Sequence, residues 1–139
     1  MNIVKPYISA GDFKFGVSYD EVVSELGEPL STEKNRLGET VVRYAGCGAT
    51  ISSHGVVEVY FLPETDVLVS GINVFGDVSA FRNLCTLDGN PKEFMGFIIL
   101  LKLGITMTGF HDSDAAQRAM TVFEKGRWDT LAGKLQDYG

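Results

Sequence analysis

Apolar residues recur at every second position through Val56-Val57-Glu58-Val59-Tyr60-Phe61-Leu62, and this period of two constrains the fold more than any other feature of the chain. Successive side chains of an extended strand point to opposite faces, so Val57, Val59 and Phe61 are expected on one face, with Glu58 and Tyr60 on the other. The alternation starts at Thr40: residues 40–44 and 49–53 read as strands, separated or bulged at Gly46-Cys47-Gly48. Ser53-His54-Gly55 signals a hairpin, and Pro63-Glu64-Thr65-Asp66 a turn into a further strand over residues 67–75. Connections this short favour an antiparallel meander of sequence neighbours, with strand 56–62 beside strand 67–75.

Helical spacing appears on both sides of this region. Ser18-Tyr19-Asp20-Glu21 is a capping box, in which the Ser18 hydroxyl accepts the Glu21 N–H and the Glu21 carboxylate reaches back. Tyr19, Val22, Val23 and Leu26 then recur on one face, and Gly27 and Pro29 end a helix over 18–26. A second helix is expected over about 78–85, with Val78, Phe81, Leu84 and Cys85 inward. Asn90-Pro91-Lys92-Glu93 has the pattern of a helix start, followed by Phe94, Phe97, Ile98 and Leu101 and a stop at Gly104. That run is so apolar that a buried strand is the alternative. Residues 105–110 suit a strand, 114–125 a helix carrying Ala116, Met120 and Phe123, and Trp128, Leu131 and Leu135 mark a last helix. With 139 residues, 45% of them apolar, and no linker or low-complexity tract, residues 1–139 read as one α+β domain with a central antiparallel meander and helices packed on one face.

The run 94–101 is closed by Lys102 and is far shorter than the roughly 20 residues that cross a bilayer, so no membrane association is expected. The opening residues lack the apolar stretch of a signal peptide, and Cys47 and Cys85 do not form a disulfide framework. The expectation is a cytoplasmic protein with two free thiols. A net charge of −6 argues against a nucleic-acid binder, which needs a basic surface.

The search for chemistry yields little. A nucleophilic Cys47 would need His54 or His111 as base, and His54 falls at a hairpin tip. His111, Asp112 and Asp114 resemble neither a zinc nor a calcium set and suit a helix N-terminus. Asp20, Glu21 and Glu25 fall on the wet face of the first helix, and Arg127-Trp128-Asp129 reads as a core or lid element rather than a ligand platform. No phosphate-binding glycine loop, GxSxG or HExxH is present. The chain is therefore expected to be non-catalytic, with no cofactor and no metal. The rival reading is a small cytosolic enzyme or ligand-binding domain with a thiol or metal site at Cys47, His54 or His111.

Charge is unevenly distributed. Residues 1–43 carry 5 basic and 7 acidic groups, and residues 82–139 carry 7 of each. Residues 44–81 contain no Lys or Arg, against Glu58, Glu64, Asp66 and Asp77. Uncompensated acid on strands and turns suits a basic protein partner, since opposite fields raise association rates and reject wrong partners. The candidate partner-binding residues are Glu58, Tyr60 and Leu62, with Glu64 and Asp66 beyond them.

The stretch Phe15-Gly16-Val17-Ser18, then Glu21-Val22 and Leu26-Gly27-Glu28-Pro29, resembles the opening of small bacterial α+β modules of the SmpA/OmlA outer-membrane assembly lipoproteins. Those carry a lipidated cysteine after a signal peptide, which this sequence does not show, so their function is not carried over. In size, acidity and lack of a catalytic set, the whole chain resembles the immunity proteins of bacterial polymorphic-toxin and contact-dependent inhibition systems. That resemblance implies an inhibitor that occludes a cognate toxin domain, such as a nuclease, without touching nucleic acid itself.

Overall fold

Residues 2–14, which show no clear period, fold into three short strands in the computed structural model, which describes residues 2–139: β1 (Asn2–Lys5), β2 (Ser9–Ala10) and β3 (Phe13–Lys14). Half of the expected capping box then forms, with the Glu21 carboxylate accepting the Ser18 hydroxyl at 3.2 Å rather than its N–H. The Ser18 hydroxyl accepts the Glu21 N–H at 3.3 Å and starts α1 (Tyr19–Leu26), whose Val22 is buried while Asp20, Glu21 and Glu25 face solvent. Gly27, at φ +83, ends the helix by donating its N–H to the Val23 carbonyl.

Four strands follow as a meander: β4 (Ser31–Lys34), β5 (Thr40–Tyr44), β6 (Cys47–Ser52) and β7 (Gly55–Phe61), each antiparallel to the next. Val59 and Phe61 are buried in the core as the alternation demands; Val57 is buried too, but the core residue beside them is Val56. The bulge lies elsewhere than at Gly46-Cys47-Gly48. The register shifts between Thr50 and Ile51, where Thr50 faces Glu58 and Ile51 faces Val56, so Val57 has no partner on β6. Gly46 belongs to the turn, while Cys47 and Gly48 sit within β6.

The rest of the chain comprises β8 (Val67–Val69), β9 (Ile72–Asn73), α2 (Ala80–Asp88), β10 (Lys92–Phe94), β11 (Phe97–Leu100), β12 (Ile105–Thr108), β13 (Ala119–Phe123) and β14 (Gln136–Asp137). Two 3₁₀ segments, Ala115–Gln117 and Asp129–Lys134, stand where longer helices were expected. The strands form two sheets, a mainly antiparallel one of five in the order β3-β2-β1-β8-β9 and an antiparallel one of nine in the order β14-β10-β11-β12-β13-β7-β6-β5-β4. The fold is mixed α/β and mostly sheet.

Four expectations are corrected. Residues 67–75 do not lie beside β7: they break at Ser70-Gly71, both at positive φ, and β8 pairs in parallel with β1 through Val4 and Val69. The neighbour of β7 is β13, with Phe61 opposite Met120 and Val59 opposite Val122. Alternation specifies which face a side chain takes but not which strand lies alongside. Residues 90–103 form the β10–β11 hairpin rather than a helix, because Met95 and Gly96 both hold the positive φ of a tight hairpin turn. Ile98, Ile99 and Leu100 are all fully buried, so the strand has two apolar faces and shows no alternation. Residues 119–123, expected in a helix, form β13. Val78 is fully exposed just ahead of α2, whereas Leu84 is buried and Phe81 and Cys85 pack partly against the core.

One face of the nine-stranded sheet enters the core through Val42, Val59, Phe61, Ile98, Met107 and Met120, together with Val4, Phe13, Val22 and Leu84. The opposite face bears Trp128, which meets the rings of Phe94, Phe97 and Phe123 edge-on at centroid distances of 6.1, 6.4 and 6.3 Å. Trp128 is thus half-buried among these rings, in keeping with the core or lid element its sequence context implies. No helix among the described residues is long and apolar enough to cross a membrane.

Candidate functional site

The register runs Arg43–Gly48–Tyr60–Thr121 across four neighbouring strands, so these residues share the sheet face that Glu58 also occupies. Tyr60 lies flat against Gly48, where a Cβ would overlap its ring atoms. The tyrosine is consequently half-buried, and desolvation raises its phenol pKa.

Glu58 is not the free acid that the charge distribution along the chain suggests. Arg127 donates to Glu58 at 2.9 Å, and to both carboxylate oxygens of Glu39 at 2.7 and 2.9 Å. The hydrogen bond from Arg127 holds the Glu39 carboxyl below its ordinary range, and the paired carboxylates raise the guanidinium. Because Arg127 lies 69 residues from Glu58, a charge tally by segment does not register it. Glu58 is thus paired within the fold.

Leu62, Glu64 and Asp66 remain together on the loop after β7. The loop is tied at several points: the Leu62 N–H and the Thr65 hydroxyl both donate to the Gly46 carbonyl, at 2.9 and 2.8 Å, and the Asn2 N–H donates to the Asp66 carbonyl at 3.1 Å. Leu62 is half-buried, while the Glu64 and Asp66 side chains are exposed and form no ion pair among the described residues. The exposed Asp12, on the β2–β3 turn, lies close enough to Cys47 for its charge to help raise the thiol pKa. Glu64 lies against Gly46 and Asp12 acts on Cys47, so acidic side chains flank the turn at residues 45–46 as an acidic rim, with Asp66 further along the same loop. Asp12 was not singled out in the sequence; nothing along the chain links position 12 to positions 64 and 66.

The thiol and histidine positions do not converge. Cys47 opens β6, whereas His54 lies exposed beyond its far end, and burial followed by Asp12 pushes the Cys47 thiol up rather than activating it. Burial also pushes Cys85 up, to about 11. His111 packs against Phe81 and Tyr138, with Nε2 3.7 Å from Glu93. Asp112 accepts the Asp114 N–H at 3.2 Å, which closes a local turn rather than capping a helix. No group of three or more His, Cys, Asp or Glu side chains among the described residues is placed to hold a metal.

A second concavity is assembled from residues distant in sequence. Phe75, Phe81 and Phe110 line a pocket of about 510 Å³ with Arg82, Arg118 and Asp77 at its walls. These residues follow β9, begin α2 and flank the β12–β13 connection, so no contiguous motif could announce them. No family model matches the sequence, and no curated protein or solved structure matches it.

Proposed function

We propose that the chain is a non-catalytic binding protein of the immunity type, a single cytoplasmic domain with both helices on the core side of the larger sheet, which neutralises a basic toxin domain by covering it. The observation that carries this reading is the exposed, unpaired acid of Glu64 and Asp66 on a loop tied to the 45–46 turn, with Asp12 beside it. A nuclease site must attract phosphate and is therefore basic. An acidic rim steers such a partner in, and its fixed backbone avoids the entropy cost of ordering a loop on binding. Leu62 and Tyr60 supply the adjoining apolar and aromatic surface that tight binding needs in addition to charge. Two cysteines without a disulfide agree with a reducing compartment.

The test is a pull-down with the toxin-domain product of the adjacent reading frame, repeated with Glu64→Lys/Asp66→Lys and coupled to a coexpression protection assay. Wild type is expected to bind and to protect, with binding that weakens in salt; the double variant is expected to lose at least about tenfold in affinity. Equal binding by both proteins at low and high salt overturns the acidic rim. Absence of protection overturns the immunity role.

A further inference from the structure

The phenylalanine pocket is independent of the acidic rim and has the opposite charge. Phe110 stands at the centre of a ring stack, 5.8 Å from Phe75 and 6.0 Å from Phe81 by centroid. The Arg118 guanidinium carbon sits 4.9 Å above the Phe110 ring, and its Nε donates to the Gly109 carbonyl at 3.3 Å. One edge of the guanidinium is thus anchored, while neither Arg118 nor Arg82 has a carboxylate within ion-pairing distance among the described residues. Both line the pocket. The Asp77 carboxylate in the same wall is engaged by the Asn73 N–H at 2.9 Å. Two guanidiniums against one carboxylate leave a single positive charge, which matches a monoanion rather than a polyphosphate. The volume of about 510 Å³ falls in the range of small-ligand sites and is large enough for one or two fused rings.

We propose that this pocket binds a small aromatic monocarboxylate, with the ring against the Phe75–Phe110–Phe81 stack and the carboxylate on Arg118 and Arg82. Aromatic faces supply area with geometric preference, and a forked guanidinium on a ring selects a planar anion over a neutral isostere. The occupant is a free small molecule, not a protein segment.

The experiment is titration of the intact chain with 1-naphthoate, followed by calorimetry and by chemical shifts of the pocket amides, with neutral 1-naphthamide as control. Saturable naphthoate binding is expected, with the amide and Arg118→Gln each weaker by about tenfold or more. Arg118→Lys should recover only part of the loss, since it restores the charge but not the fork. Should Arg118→Gln fail to fold, Arg82→Gln on the exposed start of α2 must still weaken naphthoate. Glu64→Lys/Asp66→Lys should leave naphthoate affinity unchanged, which separates failure of this site from failure of the rim. Absence of saturation up to about 5 mM, equal affinity for acid and amide, or equal affinity in the arginine variants would overturn the proposal.

Discussion

Arg127 grips Glu39 through both of its terminal nitrogens, at 2.7 and 2.9 Å, across 88 residues of sequence. The contact ties the C-terminal segment to the β4–β5 hairpin, and its second arm reaches Glu58 on β7. Replacing Arg127 by Gln leaves two mostly buried carboxylates without a cation. We expect a loss of roughly 2–4 kcal/mol at neutral pH, measured by urea unfolding, since breaking one side of a buried pair strands the other.

The same pair sets a pH response. The Glu39 pKa in the folded protein is lowered from 4.5, so its contribution to stability is present above that value and is lost as pH falls through the lower folded pKa. Wild type should therefore lose stability more steeply than Arg127→Gln between about pH 5 and pH 3. Parallel melting temperatures for the two proteins over that range would contradict this.

Gly48 and Tyr60 make a second testable contact. A methyl group at position 48 would overlap the Tyr60 ring, so Gly48→Ala should destabilise by about 1–3 kcal/mol through overpacking. In a Tyr60→Ala background the same change should cost much less. A double-mutant cycle reads the difference directly, and a coupling near zero would show that the ring does not rest on the glycine.

Phe61 is fully buried between Cys47 on β6 and Met120 on β13. Its truncation to Ala should cost roughly 3–5 kcal/mol in chemical denaturation.

Cys85 offers a solution readout of burial. With its thiol pushed up to about 11, the folded protein should alkylate there far more slowly at pH 8 than a free cysteine does, by roughly two orders of magnitude in thiolate fraction. Labelling with iodoacetamide followed by peptide mass mapping measures the rate, and rapid modification of Cys85 in folded protein would refute the assignment.

The parts of this fold that could be read from the chain are those whose determinants lie within a few residues of one another. The capping box defines α1 because the Ser18 hydroxyl meets an N–H three positions away. The hairpins from β5 to β7 follow from short turns between alternating segments, and Val59 and Phe61 face the core for the same reason. The acid of Glu64 and Asp66 was visible because charge is written directly in residue type.

Other features were decided by contacts between distant segments. Ile98, Ile99 and Leu100 carry no period because both faces of β11 are covered, and coverage is a property of neighbours rather than of the run itself. Strand β8 crosses to β1 instead of staying beside β7 because β13 already occupies that edge. Glu58 changes from free charge to structural ligand because Arg127 is folded onto it. The pocket of Phe75, Phe81 and Phe110 exists only where the β9–α2 junction meets the β12–β13 connection. Local hydrogen bonding and alternation act through a few bonds of chain, so the sequence alone determined them; pairing partners, ion pairs and cavities depend on which surfaces meet in space, and only the tertiary structure decided those.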